Sequence, residues 1–226
     1  MLKAIIFDCD GVIADTEPLH LATAQKVLKE EGIYLTDEDY FNEYLALDDR
    51  GCFTKAFTNH DRTISKEQLA ELISRKAQYV EPLMQASLKI FPGVSDFIER
   101  VVSKYPIAIA SGARREEIDL ILTYGNLQAY FPIIVSTEDV TISKPHPEAF
   151  LRAWSLLNET TDEPIEQKEC LVIEDSIHGV HAAHSAGMKC LAVTNSYAAE
   201  LLSEAELIVA TLSGLCLEKI ESLFEK

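Results

Sequence analysis

Short uninterrupted apolar runs alternate along the chain with stretches in which apolar residues recur every three or four positions, a pattern that predicts a parallel sheet covered by helices. The runs at residues 3–7, 107–110, 133–135, 171–173, 190–193 and 207–209 are rich in Ile, Val and Ala and do not alternate with polar residues. Strands buried on both faces read this way. Helical periodicity lies between them, at about 94–103, 115–124, 147–157, 179–186 and 213–224. One interval departs from the alternation. From Thr16 to about Leu88 there is only helical spacing: Leu21, Ala24 and Leu28 fall at i, i+3 and i+7, while Leu69, Leu72, Ile73, Lys76, Val80 and Leu83 form one stripe of a longer helix. About seventy residues exceed what a crossover between parallel strands requires. Residues 16–88 are therefore expected to form an inserted all-helical unit, and residues 1–15 with 89–226 a doubly wound α/β core.

Composition narrows the class. The 226 residues are 47% hydrophobic and 25% charged, with nine Gly and eight Pro, which excludes a disordered or fibrous chain. Twenty Lys and Arg against 37 Asp and Glu give a net charge of −17. That field repels a duplex or an anionic lipid surface, so no nucleic acid and no membrane is expected as partner. The first apolar run reaches Asp8 after four apolar residues, too few for a signal-peptide core. The longest uncharged stretch, 120–137, is broken by Gly125, Asn126, Gln128 and Pro132. Five widely spaced cysteines (Cys9, Cys52, Cys170, Cys190 and Cys216) contain no Cys-x-x-Cys. Reduced thiols and a cytoplasmic setting suit them better than a disulfide frame or a zinc site. A monomer is compatible with all of this, and the oligomeric state stays open.

The chemistry gathers where the apolar runs end. In Asp8-Cys9-Asp10-Gly11-Val12, a period of two sends Asp8 and Asp10 to one side and Cys9 to the other. Two carboxylates so placed can hold a hard divalent cation and divide attack from proton transfer; alone, Asp-x-Asp-Gly reads as a turn with solvated acids. Cys9 reads as a buried thiol. Ser111-Gly112 closes the second run ahead of a helix, where a hydroxyl and main-chain amides suit phosphate oxygens, although a lone serine there is equally an N-cap. Lys144-Pro145-His146-Pro147-Glu148 sets a cation before a helix; in isolation it is a surface lysine. Glu174-Asp175-Ser176 ends a strand in two acids, which singly would be helix caps. His178, His181 and His184 read as a solvated helix face, and Arg114-Arg115 as a helix start.

In order and spacing these four motifs resemble the haloacid dehalogenase superfamily, and within it the phosphatase and phosphomutase branch with a helical cap after the first strand. The motifs are Asp8-x-Asp10-Gly11-Val12, Ser111, Lys144-Pro145-x-Pro147-Glu148, and Glu174-Asp175-Ser176-x-x-Gly179 followed by Ala182-Ala183 and Ala186-Gly187-Met188. The resemblance spans nearly the whole chain. It implies a HAD-like Rossmannoid core with Asp8 as nucleophile, Asp10 as general acid and base, and Ser111 and Lys144 holding the phosphoryl group. It further implies Mg²⁺ among Asp8, the Asp10 carbonyl and Asp175, with Glu174 assisting. Ser111, Gly112 and Ala113 would line the phosphate loop, and Thr16, His20, Arg50 and Lys76 of the helical unit would contact substrate. Thr16 and His20, four apart, share a helix face; the plain alternatives are a capping threonine and a surface histidine. Lys76 interrupts an apolar stripe, and an ammonium on a buried face needs a partner or must reach the stripe's edge.

The expected activity is Mg²⁺-dependent hydrolysis of a small phosphorylated metabolite through an aspartyl phosphate. The alternative is a β-phosphoglucomutase-type sugar phosphomutase. Leu45-Ala46-Leu47, where the mutase pattern has Lys-Gly, speaks against that alternative. A phosphate-receiver signalling domain shares acids, a hydroxyl and a lysine around a parallel sheet. The helical insertion and Asp10, placed to release the phosphoryl group, weigh against it.

Overall fold

The leading apolar run forms strand β1 (Ala4–Phe7), with all four residues buried. The computed structural model describes residues 1–45 and 47–225. The chain then enters the helical interval: α1 (Glu17–Glu30), α2 (Asp37–Asp39) leading into a π-turn at Tyr40–Tyr44, α3 (Asp49–Thr58) and α4 (Lys66–Ser87). Local chemistry sets these ends. Asp48 Oδ1 accepts from Gly51 N at 2.8 Å and Ser65 Oγ from Gln68 N at 3.1 Å, satisfying amides that a helix start leaves orphaned. Ala24, Val27 and Leu28 of α1 pack in one cluster with Tyr40, Tyr44, Phe53, Phe57, Leu69 and Leu72. The buried stripe of α4 runs Leu69, Leu72, Lys76, Val80 and Met84. It does not include Leu83, expected on it but 37% exposed, because from Val80 the four-residue step stays on the buried face. Thr16–Leu88 form one compact unit; Met1–Asp15 and the chain from Lys89 onward form the other.

In that second unit α5 (Val94–Val102) leads to β2 (Ile107–Ala110), α6 (Arg115–Gly125) to β3 (Ile134–Val135), and α7 (Glu148–Glu159) to β4 (Cys170–Glu174). Next come α8 (Ile177–Ser185), β5 (Lys189–Val193), β6 (Leu207–Val209) and α9 (Leu217–Glu221). The six strands are parallel in the order β3-β2-β1-β4-β5-β6. This is the doubly wound sheet that the apolar runs predict, and its order reverses between β1 and β4, where such sheets open a ligand crevice. Phe7 is in register with both Ile109 and Ile173, so β1, β2 and β4 end within one residue of one another.

Both faces of the sheet are covered. Ile6, Ala108, Val172 and Ala192 pack with Phe150, Ala153 and Leu157 of α7 and Val180 and Ala183 of α8. On the other side Phe7 meets Phe97 and Phe131 edge to face, with centroids 6.2 and 5.6 Å apart. Burying each such side chain contributes about 1.5–3 kcal/mol. The helix expected from residue 213 begins only at Leu217, since Gly214 adopts φ +69 and breaks the run. Cys9, Cys52, Cys170 and Cys190 are buried free thiols and Cys216 is an exposed one. Among the described residues no helix is long and apolar enough to cross a membrane.

Candidate active site

Asp8 N donates to Ile173 O at 2.9 Å, extending the β1–β4 ladder one residue past β1 and pinning the Asp8 backbone at the sheet's edge. The chain then turns sharply, with Ile13 N bonded to Cys9 O at 2.8 Å and Gly11 N to Ala14 O at 2.9 Å. Gly11 takes φ +72, and a Cβ there would stand 1.8 Å from Asp175 Oδ2. Only glycine satisfies both the left-handed backbone and that approach. Asp8 is buried and Asp10 half-buried. Burial, reinforced by the charges of Asp10 and Asp8, pushes the Cys9 thiol well above its ordinary value, so it carries no thiolate for nucleophilic chemistry.

Lys144 is the hub of the cluster. Its Nζ donates to Asp8 Oδ1 and Glu174 Oε1, each at 2.6 Å, and to Ala110 O at 3.1 Å, which engages all three ammonium hydrogens. The loop presenting it is held by Glu148, whose carboxylate accepts from Thr141 N and Oγ1 at 2.8 Å and from Ile142 N at 3.0 Å. Burial opposes the Lys144 charge, but Asp8 and then Glu174 outweigh it and hold its pKa above that of an ordinary lysine. For Glu174 burial is likewise overcome, by Lys144 and Ser176, and its pKa is lowered. Asp8 is pushed up to about 7, first by burial and also by Glu174 and Asp10, with Lys144 opposing.

Glu174 Oε2 accepts from Asp175 N, Ser176 N and Ser176 Oγ, each at 2.9 Å. Both of its oxygens are thus engaged by protein. A Cβ at Gly179 would lie 1.8 Å from Glu174 Cδ, so a glycine in the first turn of α8 admits this carboxylate. Ser176 also caps α8, accepting from Gly179 N at 3.0 Å.

Ser111 follows β2, with its N–H bonded to Val135 O at 3.0 Å and its hydroxyl accepting from Ala113 N at 3.1 Å. It does not cap a helix: α6 starts at Arg115 with Arg114 as N-cap. Ser111 and Ala113 are buried and Gly112 is exposed. Sequence reasoning passed over three residues here. Buried Glu117 accepts from Arg114 N at 3.2 Å and reads in sequence only as a first-turn acid. Ser196 Oγ donates to Asp175 Oδ2, and Asn195 Nδ2 to Gly11 O at 2.7 Å. Their signal is the polar run Thr194-Asn195-Ser196 directly after β5.

In the helical unit, Lys76 is buried. It forms an ion pair with Asp49 and lies 3.1 Å from His20 Nδ1. Thr16 is fully buried at the N-cap of α1 without making the cap bond, and Arg50 is exposed on α3. Ala46, in the Leu45-Ala46-Leu47 segment, lies outside the described residues.

His181 faces Glu204 and His184 faces Glu206, each at 3.3 Å; these are two separate pairs, each completed by an acid from the segment between β5 and β6. Among the described residues no group of three or more His, Cys, Asp or Glu side chains is arranged to hold a metal ion. Asp8 and Asp175 with the main-chain carbonyl of Asp10 are nevertheless hard oxygen donors. Mg²⁺ characteristically takes one or two carboxylates and keeps several waters, so this donor set fits it without a third side chain.

Residues 5–193 match the family model described as haloacid dehalogenase-like hydrolase. The chain is 28% identical over 230 residues to protein CbbY of Rhodobacter capsulatus, covering 98% of this chain and 99% of that one. It is 30% identical over 189 residues to a phosphorylated carbohydrates phosphatase of Thermotoga maritima, covering 83% of each. Among solved structures, a β-phosphoglucomutase from Clostridium difficile superposes with a TM-score of 0.86 at 27% identity, covering 98% of this chain and 96% of that one.

Proposed function

The chain belongs to the haloacid dehalogenase-like hydrolase family, and from that premise we propose that it hydrolyses a small phosphate monoester, a phosphorylated carbohydrate in the first instance, through phosphorylation of Asp8. The observation that carries the reading is Lys144 held between Asp8 and Glu174 at 2.6 Å each. A buried carboxylate oriented by one charged hydrogen bond is a nucleophile aimed along a fixed direction. The carbohydrate class rests on the named activity of the Thermotoga relative.

Asp8 attacks phosphorus as the bond to the leaving oxygen breaks, and Asp10 delivers its proton to that oxygen. Asp10, now a carboxylate, takes a proton from water, which attacks the aspartyl phosphate and releases inorganic phosphate and free Asp8. Lys144 and the Ser111 hydroxyl, with the Gly112–Ala113 backbone, oppose the charge that builds on the phosphoryl oxygens. Asp8, the Asp10 carbonyl and Asp175 would hold Mg²⁺, which when bound supplies charge neutralisation between two anions. Glu174, its oxygens taken by Lys144 and main-chain amides, serves the cation indirectly. Thr16, His20 and Lys76 are assigned to the organic part of the substrate, and Arg50 to a far phosphate where the substrate carries one.

A phosphomutase is the second reading, favoured by the likeness to the clostridial β-phosphoglucomutase. Against it, the charge of Lys76 is already matched by Asp49, which leaves the helical unit less suited to a second phosphate. The test is a screen with Mg²⁺ against phosphorylated sugars, polyols and glycolate, including β-glucose 1-phosphate with a bisphosphate primer. Free phosphate and isomerised product are scored separately. Free phosphate is expected to dominate, and Asp8→Asn to abolish both turnover and acid-trapped aspartyl phosphate while remaining folded. Glucose 6-phosphate accumulating faster than free phosphate establishes the mutase instead.

A further inference from the structure

We propose that Asn195 and Ser196, on the loop after β5, are positioning residues for the divalent-cation site: Ser196 fixes the carboxylate of Asp175, and Asn195 fixes the turn that presents the main-chain carbonyl of Asp10. The inference rests on the reading of Asp8, Asp10 and Asp175 as cation ligands given above.

The loop is placed by the sheet. Thr194 N bonds to Val209 O at 3.0 Å, which carries the β5–β6 ladder one residue past β5 and delivers Asn195 and Ser196 to the same edge as Asp8 and Glu174. Ser196 gives its hydroxyl hydrogen to Asp175 Oδ2. A carboxylate tied at one oxygen no longer rotates about its terminal bond, so less ordering remains to be done when a cation arrives; ligating carboxylates are commonly hydrogen-bonded for this reason.

Asn195 acts on the other donor. Its Nδ2 holds Gly11 O at 2.7 Å, while Gly11 N is bonded to Ala14 O at 2.9 Å. The peptides on both sides of Gly11 are therefore tethered. In a trans peptide the carbonyl points opposite to the N–H, so directing Gly11 N–H at Ala14 turns the Asp10 carbonyl the other way. Gly11, at φ +72, has no intrinsic preference that would hold this turn unaided. The three loops meet closely: a Cβ at Gly11 would lie 1.8 Å from Asp175 Oδ2 and 3.0 Å from Ser196 Oγ. Neither positioning residue belongs to the core, for Asn195 is exposed and Ser196 half-buried.

The experiment measures Mn²⁺ binding by electron paramagnetic resonance, without substrate, in wild type, S196A, S196T, N195A and D175A. Metal-free melting temperatures and the KM for Mg²⁺ are measured alongside. S196A and N195A should bind Mn²⁺ about 10- to 100-fold more weakly, with melting temperatures near wild type. S196T, which keeps the hydroxyl, should restore most of the affinity, and the KM for Mg²⁺ should move more than kcat at saturating Mg²⁺. Wild-type Mn²⁺ affinity in S196A and N195A, together with its loss in D175A, overturns this inference and leaves the metal site standing. A wild-type protein that binds no Mn²⁺ overturns the metal site and the inference with it.

Discussion

Replacing Lys144 with Met keeps the unbranched side chain up to the position of Cε and removes the ammonium, which leaves two buried carboxylates without their shared cation. The side chains of Lys144, Asp8 and Glu174 are only 13%, 8% and 1% exposed, so solvent does little to screen them. In wild type the two acids act on folding in opposite senses. Glu174 sits below its ordinary 4.5; it stabilises the fold above that value, and the contribution is lost as pH falls. Asp8 sits at about 7 against an ordinary 3.8; the folded state keeps a proton that the unfolded chain has released, so this term weakens folding as pH climbs from 3.8 through 7. In Lys144→Met both acids lose their cation, both titrate upward, and both terms take the second sign. Breaking a buried pair costs about 3–5 kcal/mol. At about 2–4 °C per kcal/mol for chains of 150–250 residues, the variant should melt roughly 6–20 °C below wild type at pH 8. At pH 5 protonation of the acids relieves the repulsion and the gap should contract to a few degrees. Thermal melts at the two pH values, in EDTA so that no cation substitutes for the lysine, read this directly. An equal gap at pH 5 and pH 8 would show that Lys144 does not serve as the counter-charge of this cluster.

Gly179→Ala should drive a methyl group into Glu174. Overpacking of that kind costs about 1–3 kcal/mol against a helix-propensity gain of about 1 kcal/mol, so stability should fall by up to about 2 kcal/mol in a denaturant titration. With Lys144 displaced, kcat should drop on the order of 100-fold; a wild-type kcat refutes the link from Gly179 through Glu174 to Lys144. The pH profile of kcat/KM should show an acid limb near 7 at low Mg²⁺, because the attack proposed for Asp8 requires its ionised form and its pKa is pushed up to about 7. Raising Mg²⁺ should shift that limb to lower pH, since a bound cation favours the carboxylate. A limb that ignores Mg²⁺ removes Asp8 from the cation's neighbourhood.

The strands were legible because their apolar runs are unbroken, and the rule that polar residues at strand ends form the site picked out Asp8, Ser111, Glu174 and Asp175 together. The same rule applied to β5 would have reached Asn195 and Ser196, but one Asn-Ser pair after a strand reads equally as a turn, and only its bonds to Gly11 and Asp175 distinguish it. Lys76 announced its need for a partner through its place in an apolar stripe. Which partner was invisible, for Asp49 lies on another helix and tertiary packing alone joins them. Gly179 reads in sequence as part of a motif, yet its reason, the space that Glu174 occupies, exists only once α8 is folded against β4. The last helix is shorter than the periodicity predicts because apolar spacing continues through Gly214, where a left-handed residue outweighs it.

The order in which the sheet is threaded bears on how the chain is made. β1 leaves the ribosome before either of its neighbours, which begin at Ile107 and Cys170. At about 5–20 residues per second, the stretch between β1 and β4 occupies roughly ten to thirty seconds of synthesis. Until β2 is made both edges of the apolar Ala4–Phe7 are unpaired, and until β4 is made the edge that β4 covers stays open, a template for pairing with other chains. Thr16–Leu88 form a compact unit with a core of their own, so they can fold and bury their apolar stripes while the rest is still being translated. Lys144 can bridge Asp8 to Glu174 only once β4 has been made, so any product terminated before β4 leaves one edge of β1 exposed and lacks the Asp8–Lys144–Glu174 cluster.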